Sequence, residues 1–277
     1  MYHNKGTKHV KVITAQAPTI SEYWHELLKY YSMIGVFAQQ EIKSAYAQTY
    51  FGLLWSVLRP LITVAIFTVI FNFFLKVPTE QPYYIFAFTG MIAWNYFAQL
   101  ANIGSNIMIE KQDLLKKMYF PKLILPLSTV LVTGVDFLVS LAILFIMMIL
   151  EGEILSIKIM SLPFFILLNI FCGLFVALWM NVLNIRFRDL NQIVPAIIGI
   201  AIWVSPVFYP TTIIPKGYEF FVYINPMAGI IKGYRFALLG ETFPVWQYWP
   251  AIAIVVIGAF LATFMLIRNE DKMVDYA

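Results

Sequence analysis

The stretch LLWSVLRPLITVAIFTVIFNFFL, residues 53–75, decides the fold: Arg59 is the one charge in its 23 residues. A helix of about 20 mostly apolar residues crosses the roughly 30 Å hydrocarbon of a bilayer. Working outward, five more runs have this character, at about 83–107, 123–150, 162–184, 193–213 and 248–267. The composition agrees. Of 277 residues, 61% are hydrophobic and 12% charged, against roughly 25% charged in a soluble domain. A water-soluble globule would need more polar surface than this chain supplies. Disorder is excluded as well, because 17% of the residues are aromatic. The expected fold class is an all-α polytopic membrane protein with six transmembrane helices.

The missing chemistry narrows the function. Cys172 is the only cysteine, which excludes an intrachain disulfide framework and a cysteine metal cluster. His3, His9 and His25 all precede the first apolar run. No G-x-x-x-x-G-K-[ST], G-x-S-x-G or H-E-x-x-H occurs, so ATP binding through a P-loop is not expected of this chain. Asp136 is the one carboxylate inside the apolar runs. A glycosidase needs paired carboxylates, and a proton-coupled transporter usually shows several intramembrane titratable groups. Asp136 therefore reads as a hydrogen-bonding partner for another span. No metal and no cofactor is expected in this chain. The net charge of +4 does not make a soluble nucleic-acid binder of six apolar runs.

Basic residues set the orientation. With both termini in the cytoplasm, 14 of the 19 Lys and Arg fall inside, and Lys76, Lys158, Lys216, Lys232 and Arg235 outside. Residues 1–18 read as a polar cytoplasmic N-terminus with no cleaved signal. Residues 19–50 read as an amphipathic interface helix and linker. Thr19-x-x-Glu22 fits a capping box after Pro18, and Ile20, Trp24, Leu27, Tyr31 and Ile34 recur at helical spacing over 19–38. Such a helix lies flat in the headgroup region. Residues 51–277 form the six-helix transmembrane domain and a short cytoplasmic tail. The segment at about 215–247 is long enough to tempt a seventh span, but it holds Pro226, Gly229, Lys232, Gly233 and Arg235. Two central cations disfavour a lipid-facing span, so it reads as a re-entrant helical hairpin on the outer side, between the fifth and sixth helices.

Four blocks then stand in a telling order: EIKSAYAQTYFGLLWSVLRPL (41–61), LLKKMYFPKLILPL (114–127), NVLNIRFRDLNQIVPAIIGIAIWVSPVFYP (181–210) and INPMAGIIKGYRFALLG (224–240). In this order they resemble the type-2 ABC exporter permease family, in the branch that exports lipid-linked polysaccharides such as O-antigen, capsule and teichoic acid. The likeness runs over about residues 20–270. It implies a homodimer paired with two nucleotide-binding ATPase subunits that hold ATP and Mg, in the bacterial plasma (inner) membrane among membrane lipids. The substrate it implies is a lipid-linked polysaccharide moved through a channel in the dimer. A small lipid or drug is the alternative cargo. A polytopic membrane enzyme acting on lipid-linked sugars is the alternative of another class.

The resemblance assigns candidate residues. Glu110, Asp113, Leu114, Lys116 and Lys117, in a short helix ended by Pro121, would couple to the ATPase subunits, with Arg186, Arg188 and Asp189 as a second contact. Trp55, Tyr96, Trp203, Phe208 and Tyr209 are candidates to line the glycan channel, because aromatic planes give broad, weakly directional contacts to sugar faces. Lys43 and Arg59 would meet the lipid pyrophosphate at the entrance, and a guanidinium suits phosphate. Arg59 before Pro60 departs from the more neutral residue expected there.

Overall fold

The computed structural model describes residues 20–47, 53–153, 156–184 and 189–270. Thr19 of the capping box, the N-terminal segment before it, and Arg186 and Arg188 lie outside the described residues. Those described are mostly helical, with no strand among them. The helices are α1 (Ile20–Lys29), α2 (Ser32–Ala47), α3 (Leu53–Thr68), α4 (Tyr83–Glu110), α5 (Gln112–Lys117), α6 (Ile124–Leu150), α7 (Leu162–Asn184), α8 (Leu190–Val204), α9 (Glu219–Tyr223), α10 (Pro226–Leu239) and α11 (Trp249–Arg268). A π-helical turn, Val69–Phe74, continues α3. Four segments are long and apolar enough to cross a membrane: Val57–Phe74, Ile124–Leu150, Ile157–Asn184 and Trp246–Arg268.

The helix over 83–107 is present, but its role differs from its neighbours'. It carries Thr89, Asn95, Gln99, Asn102, Ser105 and Asn106, and 19 of its 28 residues are buried. α4 is therefore the central post of the bundle, packed by α3, α6, α7 and α10. Its closest seam is with α7. Gly104 faces Ala177 and Gly173 faces Leu100, so the two backbones approach where side chains are smallest. Three α7 asparagines then donate to α4 carbonyls: Asn169 to Ala93 (2.9 Å), Asn181 to Gly104 (2.7 Å) and Asn184 to Ser105 (3.0 Å). In lipid the hydrophobic effect gives helices no reason to associate, so small-residue packing and interhelical hydrogen bonds take over.

Two expected elements are broken. The single helix over 19–38 is two helices, interrupted at Tyr30–Tyr31. Its buried face carries Tyr23 and Leu27, whereas Ile20, Trp24 and Tyr31 are exposed. The fifth span, expected over 193–213, stops at Val204. Pro206 explains the stop, because a proline disfavours helical backbone at the residue before it, and Ser205 is extended, with ψ 142°. α8 is thus 15 residues, about 22 Å long.

The 215–247 segment is helical in two pieces, α9 and α10. α10 is bounded as its sequence dictates. The Asn225 side chain accepts the Met227 N–H at 3.0 Å, Pro226 opens the first turn, and Gly240 takes the left-handed conformation at φ 75°. Lys158 Nζ donates to the carbonyls of Gly240 (2.6 Å) and Glu241 (3.2 Å), placing a cation at the negative end of α10.

Candidate functional site

One end of the bundle gathers the interface helices and the 110–122 connection. α5 is the short helix expected there. Leu115 is buried and Leu114 half-buried, while Glu110, Asp113, Lys116 and Lys117 are exposed. Met118 is extended and ends it three residues before Pro121. Lys111 pairs with Glu41, tying the α4–α5 junction to α2. Tyr119 donates to Glu26 of α1 at 3.0 Å. The Tyr23 hydroxyl accepts the Leu123 N–H at 3.3 Å, and the Lys122 N–H donates to Glu270 Oε1 at 2.8 Å. Lys122 Nζ also bonds the Glu270 carbonyl. Beneath these polar ties lies a second apolar core of Tyr23, Leu27, Phe37, Leu115, Phe120 and Leu266. Burial, and then the charge of Glu270, push the Tyr23 phenol well above the ordinary tyrosine range. The result is a platform in which α1, α2, α5 and the end of α11 are fixed to one another, with a charged outer surface. Asp189 is exposed at the start of α8. Lys43 and Arg59 stand exposed on α2 and α3.

The aromatic candidates divide. Trp55 is 51% and Trp203 57% exposed, and Tyr209 is half-buried. Tyr96 and Phe208, expected on a channel wall, are 4% and 2% exposed and sit inside this chain. Tyr96 packs on Phe137 with centroids 4.6 Å apart. Phe208 stacks on Phe67 at 3.7 Å, with Phe71 and Trp203 beside it. Phe208 belongs to the packing behind an exposed surface of which Trp203 is the outward member, whereas Tyr96 lies in the core between α4 and α6. Phe67 and Phe71 are site residues that sequence reading missed. Their signal, aromatics one helical turn apart, is lost among 24 phenylalanines.

The 205–210 turn that breaks the fifth span is held from three sides. Ser205 Oγ donates to the Ala201 carbonyl at 2.9 Å and accepts Asn225 Nδ2 at 2.8 Å. Tyr83, at the start of α4, donates to the Phe208 carbonyl at 2.8 Å. Arg235 of α10 donates through Nη2 to the Val207 carbonyl at 2.7 Å, with its guanidinium 3.5 Å above the Phe86 ring. Gly90 makes room for this, since a Cβ there would lie 2.8 Å from the Val207 oxygen. Arg235 entered the sequence reading only as a span-breaking charge. The structure gives it neighbours on α4 and on the turn. Asp136 is half-buried and partnered.

Residues 33–239 match the family described as ABC-2 type transporter. A Klebsiella pneumoniae protein named O-antigen export system permease protein RfbA is 26% identical over 233 residues, covering 82% of this chain and 90% of that protein. The Myxococcus xanthus protein of the same name is 24% identical over 249 residues, 89% of this chain and 95% of its own length. The polysialic acid transport protein KpsM of Escherichia coli is 21% identical over 208 residues, 72% of this chain and 78% of that protein.

Proposed function

Because this chain belongs to the ABC-2 type transporter family, we propose that it is the permease subunit of an ATP-driven exporter of lipid-linked polysaccharide, such as O-antigen. The observation that carries this reading is its likeness, over more than four fifths of its length, to proteins named as O-antigen export permeases. α3, α4, α6, α7, α8 and α11 are the six membrane helices, and α4 is spared lipid by its neighbours. α1 lies at the cytoplasmic interface, and α9 with α10 forms the re-entrant hairpin on the outer side of the inner membrane.

A second copy completes the channel. α8 leaves Ile193, Ile197, Ile200, Trp203 and Val204 exposed, while Val194 and Ile198 face inward. With Trp55 on α3, this exposed stripe is the face that meets the partner copy and the passing glycan. Sugar rings slide on Trp55, Trp203 and Tyr209, while Phe208 supports that wall from behind. Two ATPase subunits, which bind ATP and Mg, dock on Glu110, Asp113, Leu114, Lys116 and Lys117 of the platform, with Arg186, Arg188 and Asp189 as a second contact. Lys43 and Arg59 meet the lipid pyrophosphate. The chain does no covalent chemistry.

The test is glycan entry into vesicles holding the chain with and without the nucleotide-binding protein encoded beside it. ATP-dependent entry only with that protein supports the reading, and Trp203→Ala then slows it. ATP hydrolysis stimulated by small amphiphiles, without glycan movement, replaces the cargo with a small lipid or drug. Glycan modification without any ATPase sinks the exporter reading.

A further inference from the structure

A cavity of about 270 Å³ opens between the 78–81 connection, the 210–212 turn and α10. Its lining includes Arg235, Lys232, Glu241, Glu80, Thr212 and Thr242. Lys232 is paired with Glu241. Arg235 is different. It is 2% exposed, and buried arginines are almost always paired with a carboxylate or phosphate. No carboxylate lies within ion-pair distance of it among the described residues. Its guanidinium meets the Val207 carbonyl and the Phe86 ring, and its Nε–H has no acceptor. A carbonyl dipole and a ring face orient a cation without neutralising it. The cavity therefore has one neutralised cation and one buried cation with an incomplete set of acceptors.

We propose that this cavity is an anion site that takes a carboxylate or phosphate group, with Arg235 as its buried counter-charge. The hydroxyls of Thr212 and Thr242 add neutral donors. Glu80 is exposed, where solvent screens its repulsion. Glu241 is the internal competitor, because it holds Lys232 away from the incoming anion and its charge also acts on Arg235 from beyond ion-pair distance. A bound anion would join α10, the 205–210 turn and the 78–81 connection through one charge. Two sources share this chemistry: an acidic group on a saccharide and the headgroup of an anionic lipid.

The full chain in phosphatidylcholine nanodiscs is titrated with glucuronate, with inorganic phosphate and with glucose as the uncharged control. Heat of binding and thermal unfolding are both followed. Glucuronate or phosphate is expected to bind and raise Tm by mass action, and glucose is not. Arg235→Gln should weaken binding about tenfold or more, the scale of a lost charge-assisted hydrogen bond. Glu241→Gln should tighten it, because Lys232 is released. That gain reports an anion in the cavity through Lys232. Arg235→Lys, which keeps the cation, should retain binding that a loss of charge abolishes, so this variant decides the role of Arg235 if Arg235→Gln fails to fold. Nanodiscs containing phosphatidylglycerol separate the sources: a raised Tm and blocked binding of soluble anions there assign the site to lipid. The proposal is overturned if neither soluble anion nor phosphatidylglycerol raises Tm, or if Glu241→Gln leaves binding unchanged.

Discussion

Gly104→Ala tests whether the α4–α7 seam is as tight as its geometry. The new Cβ would lie 2.7 Å from the Ala177 Cβ and 3.4 Å from Thr129 Oγ1. Carbon pairs settle at about 3.5–4.0 Å, so the seam must open by roughly 1 Å. The Gly104 carbonyl also accepts Asn181 Nδ2 at 2.7 Å, and a roughly 1 Å opening carries that bond past the useful range. Overpacking costs about 1–3 kcal/mol, and a lost hydrogen bond between membrane helices about 0.6 kcal/mol. Alanine returns up to about 1 kcal/mol of helix propensity. The net is a destabilisation of about 1–3 kcal/mol. At about 2–4 °C per kcal/mol, thermal unfolding in detergent, followed by circular dichroism, should fall by several degrees. Gly134→Ala is the control, since its Cβ would meet nothing within 4 Å, and it should hold or raise Tm. The reasoning is refuted if Gly104→Ala melts at or above wild type, or if Gly134→Ala falls as far.

Three further outcomes are expected. Lys116→Glu with Lys117→Glu reverses the charge of exposed α5 residues without touching buried Leu115, so Tm should hold while ATPase stimulation by the permease drops severalfold in reconstituted vesicles. Tyr23→Phe leaves the Leu123 N–H without its acceptor, at a cost of about 1 kcal/mol, and amide exchange at Leu123 should speed up. In wild type the raised Tyr23 pKa keeps the phenol neutral. Its contribution is therefore complete below about pH 10, the unfolded value, and is lost only as pH rises toward the folded value. Leu123 exchange protection should accordingly stay flat between about pH 6 and 9 once intrinsic exchange is corrected for. Lys158→Met removes the cation from the end of α10, costs about 0.3–1 kcal/mol, and should open the 239–242 segment first to limited proteolysis.

Two long apolar runs were legible to within a residue: those at about 123–150 and 162–184 are helices Ile124–Leu150 and Leu162–Asn184. The α5 helix was expected through the family resemblance, with Leu114 set among the charges Glu110, Asp113, Lys116 and Lys117. The stop at Val204 was also written in the sequence, as Ser205-Pro206, but an apolar run that continues to Ile213 hides a proline break behind hydropathy. The break at Tyr30–Tyr31 has no such signal, because neither Gly nor Pro stands there. It follows from docking: α1 turns Tyr23 toward Leu123, whereas α2 runs along α6. The sorting of aromatics was not legible either. In segments apolar on every side, periodicity has no contrast with which to separate core from surface, so Tyr96 and Trp203 look alike until the neighbours are known.

The position of α4 bears on how an exporter of this build would work. The helix is 28 residues long, about 42 Å, and contains no proline. At one end Lys111 pairs with Glu41 and leads directly into α5. At the other end Tyr83 holds the Phe208 carbonyl, and Gly90 lies against Val207 and Arg235. Between these ends the asparagines of α7 clamp it at Ala93, Gly104 and Ser105. Kinks arise at proline, at Gly/Ser pairs, at π-bulges or where a side chain enters the ladder, and the Gly/Ser pair of α4, Gly104–Ser105, is clamped on both carbonyls by Asn181 and Asn184. Lys111, at φ −102° and ψ 21°, is the non-helical residue between α4 and α5. A push on α5 is therefore either taken up at Lys111 or delivered to α8 and the 205–210 turn by α4 and α7 moving together. The polar side chains that make α4 too hydrophilic for lipid, among them Thr89, Ser105 and Asn106, bond to carbonyls of their own helix. The α7 asparagines instead fasten α4 by its backbone carbonyls, so it is burial among its neighbours that accommodates the helix with the weakest membrane signature.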